Sequence, residues 1–170
     1  MTDFEALLSA GEPAQLEIAT LDDSQQAVRA LAASARHSID IVSRALDPRL
    51  YDDARFISAV RAFLLGSREA RLRVLIRNPD TVVQARHRLL GLAYQLTSYC
   101  ELRQFGADHA EHNTAIIIVD ERSCLQHPLS DRYEGHFAAK HRGLVREHAR
   151  LFEEMWAVGQ LNPNLRRLAI

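Results

Sequence analysis

Apolar positions along this chain switch between a helical and a strand-like period, and the switches mark out its elements. The first residues sustain neither period, and 1–22 are expected to form a loosely attached lead-in. From Asp23 the pattern sharpens. Val28, Leu31, Ala32 and Ala35 recur at helical spacing behind capping candidates in Asp22-Asp23-Ser24. Residues 38–44 alternate, with Ile39, Ile41 and Ser43 on one face, and predict a strand. A polar connection leads to a second helix striped by Phe56, Val60, Phe63 and Leu64, and then to a strand over 71–77 with Leu72, Val74 and Ile76 inward. Asn78-Pro79 opens a long helix to about Ser98, its stripe running Val82, Leu89, Ala93, Leu96, with Arg86-His87-Arg88 on a solvent face.

Residues 99–105 alternate again, and 115–119 form an unbroken apolar run, as expected of a central strand buried on both faces. A two-residue turn at Glu121-Arg122 joins it to 123–126 as a hairpin, and 133–138 supply a further strand. The last helix spans 142–158, striped by Leu144, His148, Leu151, Phe152 and Met155, with Met155 and Trp156 read as core. Helices between the early strands require crossovers and parallel neighbours, whereas the later run of strands allows antiparallel pairing. The expected fold is an α/β domain over 23–160: a mixed, mostly parallel-cored sheet with helices on both faces. A tail follows at 161–170.

Composition narrows the functional classes. At 170 residues, 47% apolar and 25% charged, the chain has the size and make-up of one ordinary domain. No stretch reaches the roughly 18 apolar residues of a membrane span, and Asp3 and Glu5 stand where a secretory signal carries basic residues. A cytoplasmic location follows as the expectation, with Cys100 and Cys124 as buried thiols and not a disulfide. A net charge of −1 gives no general drive toward nucleic acid or anionic membrane and leaves room only for a local basic patch. No cofactor or metal is expected.

The order of elements, with the segments ALAASARHSIDIVSRAL, ARLRVLIRNP, YCELRQF, HNTAIIIVD and ARLFEEMWAVG, resembles one half-domain of the phospholipase D-like superfamily, over about four fifths of the chain. It is also similar to uncharacterised bacterial domains of that type, some attached to acetyltransferase-like modules. The resemblance implies a catalytic strand written His-x-Lys, four residues, Asp, followed by Gly-Ser-x-Asn. Its histidine attacks phosphorus, its lysine neutralises phosphoryl charge, and its aspartate orients the site. Two such motifs build one site, so a single-domain member is expected to form a homodimer.

The motif here is degenerate. Anchoring on His112 puts Thr114 at the lysine position and Val119 at the aspartate position. Anchoring on Asp120 puts Asn113 at the histidine and Ala115 at the lysine position, with His127-Pro128-Leu129-Ser130 on Gly-Ser-x-Asn. Neither register keeps a lysine, and the chain has one lysine in all, Lys140. Side chains at i and i+2 on a strand share a face, so a nucleophile there needs a cation beside it.

Other constellations carry less. Asp108-His109-Ala110-Glu111-His112 offers four metal-ligand types in five residues, but not the spacing of a helical zinc motif, and a polar loop is the plainer reading. No serine-nucleophile, Walker or dinucleotide pattern occurs. His127, His136 and His141 with Arg132, Lys140 and Arg142 make a cationic stretch, and Arg44 and Arg77 stand at strand ends, where ligands of open sheets gather. The candidate anion-binding residues are Arg44, Arg77, His112, Asn113, His127 and Arg132; no catalytic residue is assigned, with His112 the sole candidate. The expected function is a catalytically silent phospholipase D-like binding or regulatory module that pairs with itself and takes an anionic small ligand or a protein partner. The alternatives are a divergent phosphodiesterase or nuclease using His112 with Arg77, Arg132 or His127 in place of lysine, and an accessory domain of an acyltransferase or lipid pathway.

Overall fold

Seven strands pair into one sheet in the order β1-β7-β6-β5-β2-β3-β4 in this computed structural model, which describes residues 1–166. The strands are β1 (Ala14–Ile18), β2 (Ser38–Ser43), β3 (Arg71–Ile76), β4 (Cys100–Gln104), β5 (Ala115–Val119), β6 (Ser123–His127) and β7 (Gly135–Ala139). The expected mixed sheet with helices on both faces is present. Its parallel pairings are confined to β2-β3 and β3-β4, and the other four are antiparallel. The reason lies in the connections: only the first strands are separated by helices, and β5 to β7 follow one another through short turns.

One face packs on α1 (Phe4–Ser9), α2 (Leu21–Ser34), α3 (Pro48–Tyr51), α4 (Ala54–Leu65), α5 (Pro79–Gln84) and α6 (Arg88–Gln95); the other packs on α7 (Arg142–Ala157). Strand alternation divides the core in two. Ile39, Ile41, Val74, Ile117 and Leu125 face the six-helix layer, while Val42, Leu75, Ile116, Ile118 and Cys124 face Phe152, Met155 and Trp156 of α7. All five residues of β5 are buried, as expected of a strand covered on both sides. Cys100 and Cys124 are unpaired thiols, and burial pushes both up to about 12. Among the described residues, no helix is long and apolar enough to cross a membrane.

Several elements depart from the sequence expectation. The supposed lead-in is integrated: β1 extends the sheet beside β7, and Phe4 is buried edge-on to Phe137, 4.9 Å between centroids. Six and five residues are too short for a period to show. Helix α2 is capped by Thr20, whose hydroxyl accepts from the Asp23 N–H, so Asp22 and Asp23 lie in its first turn and Ser24 is buried. The single helix expected from Pro79 breaks at Arg86, with φ 51°, and restarts at His87, which is buried and not on a solvent face. Helix α7 buries Phe152, Met155 and Trp156 as expected, but Val145 replaces Leu144 and Leu151, which are exposed. The hairpin turn centres on Asp120-Glu121, both at φ 56°, closed by the Arg122 N–H on the Val119 carbonyl. Leu165 of the expected tail is buried; 167–170 lie outside the described residues.

Asp120 ties this end of the sheet together. Its carboxylate accepts from the backbone N–H groups of Arg36, His37 and Ser38 at 3.0, 2.7 and 3.0 Å, fixing the passage from α2 into β2. Asp120→Ala leaves these donors without their acceptor and is expected to cost about 2 kcal/mol. Urea denaturation reads this as a lowered midpoint at unchanged slope; an unchanged midpoint contradicts the role.

Candidate functional site

The opposite end of the sheet, where β2, β3, β4 and β6 finish and β5 and β7 begin, carries two polar clusters. The sheet separates them.

On the six-helix face His127 ends β6, only 3% exposed, with Nε2 3.0 Å from the hydroxyl of Ser24 on α2. Its ring meets Tyr133 edge-on, and Gly135 passes so close to the Gln126 carbonyl and the His127 ring that a Cβ there would collide. Tyr133 donates its hydroxyl proton to Asp47 at 2.6 Å; Asp47 also accepts from the Arg49 backbone N–H and side chain, and Arg49 lies over the Tyr133 ring. The loop that delivers Asp47 holds buried Leu46 at φ 52°. Two contacts restrain that conformation: the Leu46 N–H donates to the Ser43 hydroxyl, and the Leu46 carbonyl lies 2.9 Å from Nε2 of His87. Because Nδ1 of His87 accepts the Leu89 N–H, its proton belongs on Nε2, which donates to Leu46. Burial pushes His87 and His127 below the usual imidazole range. Every member of this knot is bonded to another, and Ser24, fully buried, is closed to any substrate.

Asn113 belongs to the same side by alternation with Ala115 and Ile117. Its Oδ1 accepts the Ser130 hydroxyl at 2.7 Å, and its carbonyl accepts the Ser130 N–H at 2.9 Å, closing the β6–β7 connection onto the start of β5. Arg132 lies on the exposed turn just beyond, its N–H bonded to the Leu129 carbonyl.

The α7 face holds the other cluster. Arg44 and Arg77 continue the alternation of Val42 and Leu75 past the ends of β2 and β3. They are neighbours along the two strands: the Arg77 N–H donates to Ser43, and the Asn78 N–H to Arg44. Among the described residues neither guanidinium has a carboxylate partner. His112, two steps before Thr114, stands edge-on to Phe105 at 6.1 Å. Burial first, then His109 and Arg77, push its imidazole below its ordinary value, so it is neutral beside a cation. The six anion-binding candidates therefore divide: Arg44, Arg77 and His112 on one face, Asn113 and His127 on the other, Arg132 on the turn. Asp120, given an orienting role by the resemblance, stands seven residues from Asn113, about 23 Å away along an extended strand, and takes no part at this end. Asp108 and His109 lie in a single 3-10 turn (Ala107–His109) with Glu111 and His112 in the loop after it, and no three metal-ligand side chains converge among the described residues.

Sequence reasoning missed Ser24, Asp47 and Tyr133. Asp47 and Tyr133 lie 86 positions apart and only the sheet brings them together. Ser130 was legible as the last position of the Gly-Ser-x-Asn register.

A family model described as Domain of unknown function (DUF7931) matches residues 20–168. No curated protein matches this sequence. Among solved structures the chain is similar to Nuc, a phospholipase D family member from Salmonella typhimurium (16% identity, TM-score 0.60, covering 88% of this chain and 97% of that one). It is similar to NucT from Helicobacter pylori (11%, TM-score 0.62, 88% and 99%). It is also similar to the archaeal chromatin protein TrmBL2 (15%, TM-score 0.61, covering 86% of this chain), of which it spans about half, 53%. At these identities the likeness is one of fold.

Stability is expected to follow the buried histidines. An unfolded imidazole protonates near pH 6.5, while His87 and His127 resist protonation in the fold. Below about pH 6.5 the unfolded chain therefore binds more protons, and stability falls with pH. Urea midpoints should drop from pH 7.5 to 5.5, and His127→Gln should flatten the dependence. A midpoint that rises on acidification contradicts this.

Proposed function

We propose that this chain, which belongs to the DUF7931 family, is a phospholipase D-like module that holds an anionic group without hydrolysing it and pairs with a second copy of itself. The observation that carries the reading is the 2.7 Å bond between Asn113 and Ser130. In the Asp120 register these residues stand at the histidine and final asparagine positions of the family motif, and buried Ala115 stands at the lysine position. An amide is no nucleophile, and here its carbonyl oxygen is already engaged. Loss of a single charge-stabilising group raises a barrier by about 3–4 kcal/mol, and this strand offers neither nucleophile nor cation on that face.

Anion binding falls to the other face. Among the described residues Arg44 and Arg77 lack carboxylate partners, and guanidinium forks suit phosphate and carboxylate oxygens. Self-pairing rests on the resemblance, in which two motifs build one site. A phosphodiesterase using His112 with Arg77 is the competing reading, favoured by a neutral imidazole beside an arginine.

Bis(p-nitrophenyl) phosphate separates the two. The expected result is no turnover above background in either the wild type or His112→Ala; turnover abolished by His112→Ala in a folded protein overturns silence. By calorimetry, inorganic phosphate is expected to bind and Arg44→Ala/Arg77→Ala to weaken it about a hundredfold, the loss of two charge-assisted contacts of about 1.5 kcal/mol each. Light scattering should give twice the mass of one chain; a monomer refutes pairing.

A further inference from the structure

The connection from β4 to β5 has to cross the ends of β3 and β2, because both strands stand between β4 and β5 in the sheet. The register decides what lies along that crossing. Ser43 pairs with Ile76 and Ile76 with Gln104, so one step on Arg44, Arg77 and Phe105 stand side by side. The ladder bonds continue through this step: the Asn78 N–H donates to the Arg44 carbonyl and the Phe105 N–H to the Ile76 carbonyl. On the far side Val42 pairs with Ile116, so two steps on Thr114 falls opposite Arg44. All four residues belong to the α7 face by alternation.

The crossing passes through the turn Ala107–His109 and brings His112 back against Phe105, with 6.1 Å between ring centroids. The His112 N–H donates to the His109 carbonyl at 2.9 Å, which ties both imidazoles to one short segment. The sheet presents Arg44 and Arg77 to His112, and the crossing itself carries Asp108, His109 and Glu111. Helix α7 packs its end on Phe105 and Gly106 and brings Glu154 in its last turn. Arg103, two residues before Phe105, is held by Trp156 and Glu101. Asp108, Glu111 and Glu154 are exposed, and solvent screens them. Burial, then His109 and Arg77, keep the His112 imidazole neutral.

We propose that this site binds its anion together with a proton, taken up on His112, and so holds the anion more tightly as pH falls. The inference rests on the reading of Arg44 and Arg77 as the anion site. With the site empty, a proton on His112 adds a third positive charge to two guanidiniums. An anion seated on the arginines removes that opposition and gives the imidazolium an acceptor. The coupling is reciprocal: what the anion adds to the imidazole's hold on its proton, the proton adds to the site's hold on the anion. At alkaline pH the imidazole stays neutral and the site falls back on the arginines alone. A histidine that only packs on Phe105 shows no such coupling.

Calorimetric titration with sulfate tests this, because sulfate keeps both charges across the neutral range and takes no proton itself. The wild type is expected to bind roughly threefold to tenfold more tightly at about pH 6 than at about pH 8, as a rise of roughly one to two units in the imidazole's proton affinity requires. Heats measured near pH 6 in buffers of low and high ionisation enthalpy should show uptake of about half a proton or more per sulfate. By NMR the His112 ring should titrate at higher pH with sulfate than without. His112→Gln should lose the tightening and the uptake, and His109→Gln should keep both. Sulfate binding that is flat with pH, takes up no proton and is lost in Arg44→Ala/Arg77→Ala overturns the coupling while the anion site stands. Uptake that persists in His112→Gln overturns it too. Sulfate that binds at neither pH removes the anion site and the coupling with it.

Discussion

Side chains on a strand alternate between faces, and in this protein that constraint decides which polar groups can meet. Strand β5 is buried on both sides, so its register is fixed throughout. The polar residues preceding it inherit that register. Asn113 goes to the side of His127, Ser24 and Tyr133, while His112 and Thr114 go to the side of Arg77. A nucleophile and its cation must share a face, and here the histidine and the family's histidine position have parted by one residue.

The two faces of the sheet handle charge differently. At the end bearing His127, polar groups on the six-helix face are consumed by one another, down to a strained Leu46 held by Ser43 and His87. Under α7, Arg73 bridges buried Asp40 and Glu153 and lies over the rings of Phe152 and Trp156, and Arg103 lies over Trp156 at 4.2 Å. These arginines are structural: each has a carboxylate and an aromatic face. Among the described residues Arg44 and Arg77 have neither.

Elements with a sustained period were legible in the sequence. Phe56, Val60, Phe63 and Leu64 face inward as their spacing requires, and 115–119 is the central strand its unbroken apolar run implies. What escaped was short or non-local. α1 and β1 hold too few residues to show a period, and their burial depends on Phe137, more than a hundred positions away. The break between α5 and α6 has no glycine or proline to announce it; it follows from a tertiary bond of His87 to Leu46. The site was legible as a set of residue types but not as a set of faces, because the groups that meet them, Ser24 for His127 and Phe105 for His112, come from other elements.

A crystal structure grown in phosphate tests most directly whether the anion site has moved to the α7 face. The expected result is an ordered anion on Arg77 and Arg44 beside His112, with the Asn113–Ser130 bond intact. An anion seated on Asn113 and His127, with Ser130 displaced, would contradict it.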